Sequence, residues 1–192
     1  KQMQLSDGAW PWFPGGKGND YITLYITTGF GRLGHLGVDV DPSLAIKSLN
    51  RLDNWINKTY RSILKNGKKE NNHLSSTIAL YLYGRSFFLE QQKINPNAQE
   101  AVDYFLGQAR KYWLELGNRQ SQGHLALALH RFGKDKDTPK AIVRSLKERS
   151  VTDEEMGMFW RDEELSWWWH RAPIETQAVM IEVFDEIMND QK

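Results

Sequence analysis

Asp7-Gly8-Ala9-Trp10-Pro11-Trp12-Phe13-Pro14-Gly15-Gly16 runs into Tyr21-Ile22-Thr23-Leu24-Tyr25, an aromatic, glycine-rich turn that delivers the chain into an apolar helix. A second version lies toward the other end. There Met158-Phe159-Trp160-Arg161 and Trp167-Trp168-Trp169-His170-Arg171 lead through Ala172-Pro173 into Ile174-Glu175-Thr176-Gln177-Ala178. Two such entries in one helical chain point to a repeated architecture, and the helices between them decide which.

Asn19 or Asp20 can cap a first helix to about Leu36, with Ile22, Ile26, Gly29, Leu33 and Leu36 on one stripe. Tyr21, Leu24, Tyr25 and Phe30 make its other side apolar too, so burial on two sides is expected. Gly29, Gly31 and Gly34 each cost about 1 kcal/mol against alanine in a helix interior, which predicts close backbone packing there. Asp41-Pro42 opens a second helix, to about Asn66 before Gly67. Its stripe of Ala45, Leu49, Leu52, Ile56, Tyr60 and Ile63 opposes Lys47, Arg51, Lys58 and Arg61, leaving one wet face.

A third helix over about 74–91 is apolar on more than one side, and a fourth over about 98–116 is one-sided again. The fifth, about 121–132, carries Leu125-Ala126-Leu127-Ala128-Leu129 and is apolar around its whole girth; the sixth, about 139–148, is one-sided. The seventh follows Pro173 and turns Ile174, Ala178, Ile181, Phe184, Ile187 and Met188 inward. Such alternation predicts an all-α fold, an αα toroid or partial α/α barrel in which inner helices touch neighbours on every side and outer helices face water. An up-down bundle would need only one class of helix. A solenoid of helix pairs is the structural rival, although no fixed repeat period is visible. With the odd-numbered helices inside, their N-termini meet at one mouth, which collects Tyr21, Thr23, His73, Ser75, Gln120, Gln122, Glu175 and Thr176. Free N–H groups there suit a polar or anionic group.

The 192 residues, 40% apolar with a net charge of +1, fit one soluble helical domain or a fragment of one from a larger multidomain protein. Near-neutrality argues against nucleic acid as a partner, and the basic run from Lys65 to Asn72 reads as a solvated loop. No stretch reaches the roughly 20 apolar residues of a membrane span, and no export signal is visible. The absence of cysteine excludes disulfides, thiolate metal sites and a cysteine nucleophile within these residues. Six of the eight tryptophans sit in the two aromatic entries, as wedges between helices or as a platform for a sugar or apolar ligand.

Glycoside hydrolysis would require two carboxylates flanking a bond, drawn from Asp7, Asp20, Glu163, Glu164 and Glu175. Helix capping and first-turn placement account equally for Asp20 and Glu175. His124 and His130 do not share a helix face, while His35, His73 and His170 are isolated, so neither a metal site nor a cofactor is expected. Asp39-Val40-Asp41 before Pro42 is a helix-capping turn, and Ser75-Ser76 lacks a partnered base.

Gln4-Leu5-Ser6 with the first turn, then Tyr21-Ile22-Thr23, Gly31-Arg32-Leu33, Trp168-Trp169 and Ile174-Glu175-Thr176-Gln177-Ala178, resembles the thioester-containing domain of bacterial α2-macroglobulins, particularly those of Bacteroidetes-like bacteria. The resemblance spans nearly the whole chain in short motifs. It implies a helical toroid within a large exported protein of the periplasm or cell envelope, which traps proteases and captures them through a cysteine–glutamine thioester. Proteases and the other domains of the parent are the implied partners. This chain departs from the pattern in having no cysteine, hence no thioester former, and seven helices instead of about twelve. Both departures fit a fragment, or a relative that traps without covalent capture. The expectation is a non-enzymatic module associated with endopeptidase inhibition, whose binding residues at the mouth are Trp10, Trp12, Tyr21, Thr23, Trp169, Glu175 and Thr176. A toroidal carbohydrate-active enzyme or glycan-binding domain using the aromatic loops is the alternative.

Overall fold

Asn19 sets where the first helix begins: its backbone is extended and its side-chain oxygen accepts the Ile22 N–H at 3.0 Å, closing one of the free donors of the first turn. The computed structural model that shows this cap describes residues 3–160 and 173–188. The described residues are mostly helical, with seven α-helices and two short hairpins, so the protein is all-α. Two compact units divide the chain, Lys1–Gln108 and Ala109–Lys192.

In the first unit, β1 (Trp10–Pro11) pairs antiparallel with β2 (Gly18–Asn19). Between them Phe13-Pro14-Gly15-Gly16 forms a turn closed by the Gly16 N–H on the Phe13 carbonyl at 3.0 Å, with Gly15 at φ +80° following the proline. Next come α1 (Asp20–His35), α2 (Ser43–Lys65) and α3 (Ser76–Ser86), and a 3-10 turn (Pro96–Ala98) leads into α4 (Gln99–Tyr112). The Asp41 carboxylate accepts the Ser43 N–H at 2.9 Å and its hydroxyl at 2.7 Å, and Ser75 caps α3 through the Ile78 N–H at 3.2 Å. Asp41 thus serves the helix-capping turn expected of it, while Ser75, expected only at the helix mouth, is the cap of α3. Against α2 and α3, α1 packs over Leu24, Leu49, Leu52, Ile56 and Leu82, all fully buried.

In the second unit, α5 (Arg119–Phe132) is capped by Asn118, which accepts the Ser121 N–H at 2.8 Å, and ends at Gly133 in the left-handed region at φ +69°. A 3-10 turn (Trp113–Glu115) precedes it; α6 (Asp137–Glu148) and a hairpin of β3 (Val151–Asp153) with β4 (Gly157–Phe159) follow. The last helix, α7 (Pro173–Val183), runs on into a π-helical turn (Phe184–Met188). Both α6 and α7 pack on α5. Gly123 makes the second contact close, since a methyl group there would lie 2.6 Å from Met180 Cε and 2.9 Å from Val179 Cγ1.

Burial corrects three expectations. Residues 121–129 of α5 and 81–86 of α3 are buried all round, as their composition predicts, but α1 is not. Its buried residues are Thr23, Leu24, Thr27, Thr28 and Gly31, whereas Leu33 and Leu36 from the expected stripe are exposed. Of its three interior glycines, Gly31 alone is packed, on the Phe87 ring; Gly29 and Gly34 meet nothing. On α7 the inward residues are Thr176, Val179, Met180 and Val183, while Ile174 and Ile181 point outward. The face of α1 that packs carries three threonines beside Leu24, so apolar periodicity did not mark it, whereas α7 is apolar on two sides and its packing partner makes the choice. The third helix is also shorter than the 74–91 expected, because the chain leaves it at Phe87 through turns.

Candidate functional site

The first aromatic entry is fastened at every residue before its tip. Asp7 Oδ1 accepts the Ala9 N–H at 3.1 Å, and Gly8 takes φ +83° against α2, where any side chain would run into the Lys47 carbonyl. The Gly8 carbonyl accepts from Ser48 Oγ at 2.7 Å and from Gln4 Nε2 at 3.2 Å. Gln4 Nε2 also donates to the Leu44 carbonyl at 2.7 Å, tying the segment to α2. From the other side, Trp10 N–H donates to Thr23 Oγ1 at 2.8 Å, and that hydroxyl donates to the Asn19 carbonyl at 2.6 Å. Trp10 and Thr23, two of the seven expected binding residues, are thus brought together as structural partners.

Beside this fastening, Arg51 of α2 bridges two carboxylates, Nη1 donating to Asp7 Oδ2 at 2.6 Å and Nε to Asp20 Oδ1 at 2.7 Å. Both were candidates for glycosidase chemistry, and both are engaged by one guanidinium. Past the fastening the hairpin presents its tip to solvent, with Trp12 56% and Phe13 65% exposed. Tyr21 lies against Tyr25, ring centroids 6.5 Å apart and nearly parallel, on the first turns of α1. The tip is therefore an aromatic knob on a fixed stem.

The second entry divides. Trp167, Trp168, Trp169, His170, Glu163 and Glu164 lie outside the described residues. Glu175 and Thr176 stand on the first turns of α7, where Gln120 Nε2 of α5 reaches Glu175 Oε2 at 3.4 Å, so two helix entries of the second unit do adjoin. Thr176 is buried, and its hydroxyl has no hydrogen-bond partner among the described residues. Nearby on α5, Gln122 Nε2 donates to the Leu116 carbonyl at 2.7 Å and Gln122 Oε1 accepts from Arg149 Nη2 at 2.7 Å. Burial, and then the charge of Arg119, pull the Arg149 guanidinium below its ordinary value. Met158 keeps its backbone carbonyl on Gln177 Nε2 at 3.1 Å, and Trp160 donates from Nε1 to the Leu146 carbonyl at 2.9 Å. Trp160 is a buried wedge stacked on Phe184.

Sequence reasoning passed over the most heavily bonded polar group of the first unit. Asp53 and Arg85 are both fully buried, with Arg85 Nε on Asp53 Oδ1 at 3.0 Å. Tyr81 donates to the same oxygen at 2.8 Å, and the Asn95 N–H to Oδ2 at 2.9 Å. Arg85 Nη2 donates to the Gln92 carbonyl at 2.8 Å, so the network pins the turns that follow α3. Burial, together with the Asp53 charge and hydrogen bond, pushes the Tyr81 hydroxyl well above its ordinary value and keeps it a donor. The available signal was Asp53 itself, a charge four residues after Leu49 and three before Ile56 on an apolar stripe. Its full bonding makes it a structural centre.

The chain matches no protein-family model and no curated protein.

Proposed function

We propose that the chain is a toroid-type helical domain, or part of one, of an α2-macroglobulin-like protein, and that it serves endopeptidase trapping through protein contacts and without chemistry of its own. The supporting observation is the use made of the resembling motif. Gln4, Asp7, Gly8, Trp10 and Thr23 are each consumed in fastening the hairpin to α1 and α2, which is what a motif maintained for architecture should do. Placement in the cell envelope, with proteases and neighbouring domains as partners, belongs to the same reading.

A trapped protease keeps its active site but loses access to large substrates. The parent protein should therefore suppress an endopeptidase's cleavage of a folded protein while leaving its hydrolysis of a small chromogenic peptide intact. Equal loss of both, or no effect on either, sinks the proposal, as would a parent gene without β-sandwich domains beside this one.

A second reading is favoured by the exposed Trp12 and Phe13, since a flat ring held on a fixed stem is what stacking on a sugar face requires. On this reading Trp12→Ala abolishes binding on a glycan panel with the melting temperature unchanged. Absence of any glycan binding by the native chain removes it.

A further inference from the structure

The chain has one Asn-Gly pair, Asn66-Gly67, and it closes the C-terminal end of α2. An asparagine before glycine is open to attack by the glycine nitrogen on its own side-chain carbonyl, since glycine has no Cβ to obstruct the approach. How firmly the two residues are held decides whether the attack takes place. Both are exposed, and no hydrogen bond among the described residues holds the Asn66 side chain. The Gly67 N–H reaches only the Leu64 carbonyl, at 3.3 Å, longer than a good amide bond. Gly67 sits at φ +67° with no atom within 4 Å of where a side chain would begin, so nothing obstructs a turn of the Asn66 ψ away from −2°. Other candidates are held. Asn19, Asn95 and Asn118 spend their side-chain oxygens on caps, Asn72 accepts the Leu74 N–H, and none of them precedes a glycine. Asp7-Gly8, the one Asp-Gly pair, has its carboxylate on Arg51 and the Ala9 N–H, and its Gly8 N–H on the Leu5 carbonyl at 3.0 Å.

We propose that Asn66 is a site of spontaneous modification in the folded chain, deamidating through a succinimide to aspartate and isoaspartate. The Gly67 nitrogen gives its proton to a base in solvent and bonds to Asn66 Cγ, and the Cγ–Nδ2 bond breaks to release ammonia. Water then opens the ring. Attack at Cγ restores the ordinary backbone as aspartate; attack at the backbone carbonyl carbon leaves the chain running through Cβ and Cγ as isoaspartate. Either product places a carboxylate against the partial negative charge of a helix C-terminus, among Lys65, Lys68 and Lys69. Isoaspartate also lengthens the path from α2 to Lys69, whose carbonyl accepts from the Tyr104 hydroxyl at 2.9 Å and whose ammonium lies over the Tyr60 and Tyr104 rings. The change therefore falls on a connection anchored at both ends. The inference is independent of the toroid reading.

Incubation of the native 192-residue chain in neutral to mildly alkaline buffer, followed by peptide mapping with mass spectrometry, tests this. The Asn66 peptide should gain the mass by which a hydroxyl exceeds an amino group and split into two products of equal mass, of which the isoaspartate blocks stepwise N-terminal degradation at that position. Its rate should rise with pH, because the attacking amide must lose its proton. Unfolding in urea should speed the reaction at Asn66 by less than about tenfold, and isoaspartate formation at the fastened Asp7 by about tenfold or more, tenfold being about 1.4 kcal/mol of barrier. Asn66→Ser should abolish the mass gain in this peptide. Gly67→Ala, strained by its φ but with space for the methyl group, should slow it by about tenfold or more. An Asn66 that stays intact in the folded chain while converting in urea, a native rate indifferent to Gly67→Ala, or a mass gain that survives Asn66→Ser overturns the assignment.

Discussion

At the scale of the residue, the Asp53–Arg85 pair governs the first unit because both charges have been taken fully out of water. Desolvation of each ion is offset only by the bonds it makes, and Asp53 makes them to Arg85, Tyr81 and the Asn95 backbone. Asp53→Ala leaves the Arg85 guanidinium buried with carbonyl acceptors alone, and should lower unfolding stability by about 3 to 5 kcal/mol in urea titration. Replacing both at once, Asp53→Leu with Arg85→Met, removes the stranded charge and should recover more than half of that loss. Equal losses for the single and double variants would mean that the pair's value lies in its shape and not in charge compensation. By contrast Arg51, partly exposed between Asp7 and Asp20, holds pairs worth about 1 kcal/mol or less each.

At the scale of the element, glycine position separates used from unused helix faces. A methyl group on Gly31 would meet the Phe87 side chain at 2.6 to 2.8 Å, and one on Gly84 would run into Thr28, whereas one on Gly29 meets nothing. Gly31→Ala and Gly84→Ala should therefore lower the melting temperature, while Gly29→Ala should raise stability by up to about 1 kcal/mol through helix propensity alone. Thermal melts of the three variants decide this, and a stabilising Gly84→Ala would show that the α1–α3 crossing relaxes freely. The same contrast explains what was legible in the sequence. Caps at Asn19 and Asp41 depend on local chemistry, and the girdled core of α5 on composition, so both could be read. Faces of α1 and α7 could not: the buried face of α1 is largely threonine, which apolar patterning passes over, and α7 is apolar on two sides so that only the partner selects one. Hairpins of two or three residues per strand carry no alternation long enough to register. In the candidate site the aromatic turn stood out, but Arg51 and Asp53 did not, since their roles arise from neighbours 28 to 44 residues away in the chain.

At the scale of the whole molecule, the shifted groups set the limits of stability in pH. Hydrogen bonds from the Ser43 hydroxyl and amide hold the Asp41 carboxyl below its ordinary value, and the Met156 and Glu155 amides do the same for Asp153. Asp135 is also lowered: burial opposes the shift, but Thr138, the Asp137 amide and the Arg110 charge outweigh it. A carboxyl depressed in the folded state contributes stability that is complete above its unfolded value and disappears as pH falls through the folded one. Its contribution is thus present at neutrality and lost below about pH 4. Tyr81 acts at the other end. Its hydroxyl is held neutral by burial and by Asp53, so the unfolded chain releases that proton first, and stability falls as pH rises beyond about 10. Melting temperature should therefore form a plateau between about pH 5 and 9 with a falling limb on each side. Tyr81→Phe leaves Asp53 one donor short and should lower the plateau while making the alkaline limb shallower, because the titrating group is gone. An alkaline limb of unchanged steepness in that variant would show that the lysines and not the buried tyrosine set the upper limit.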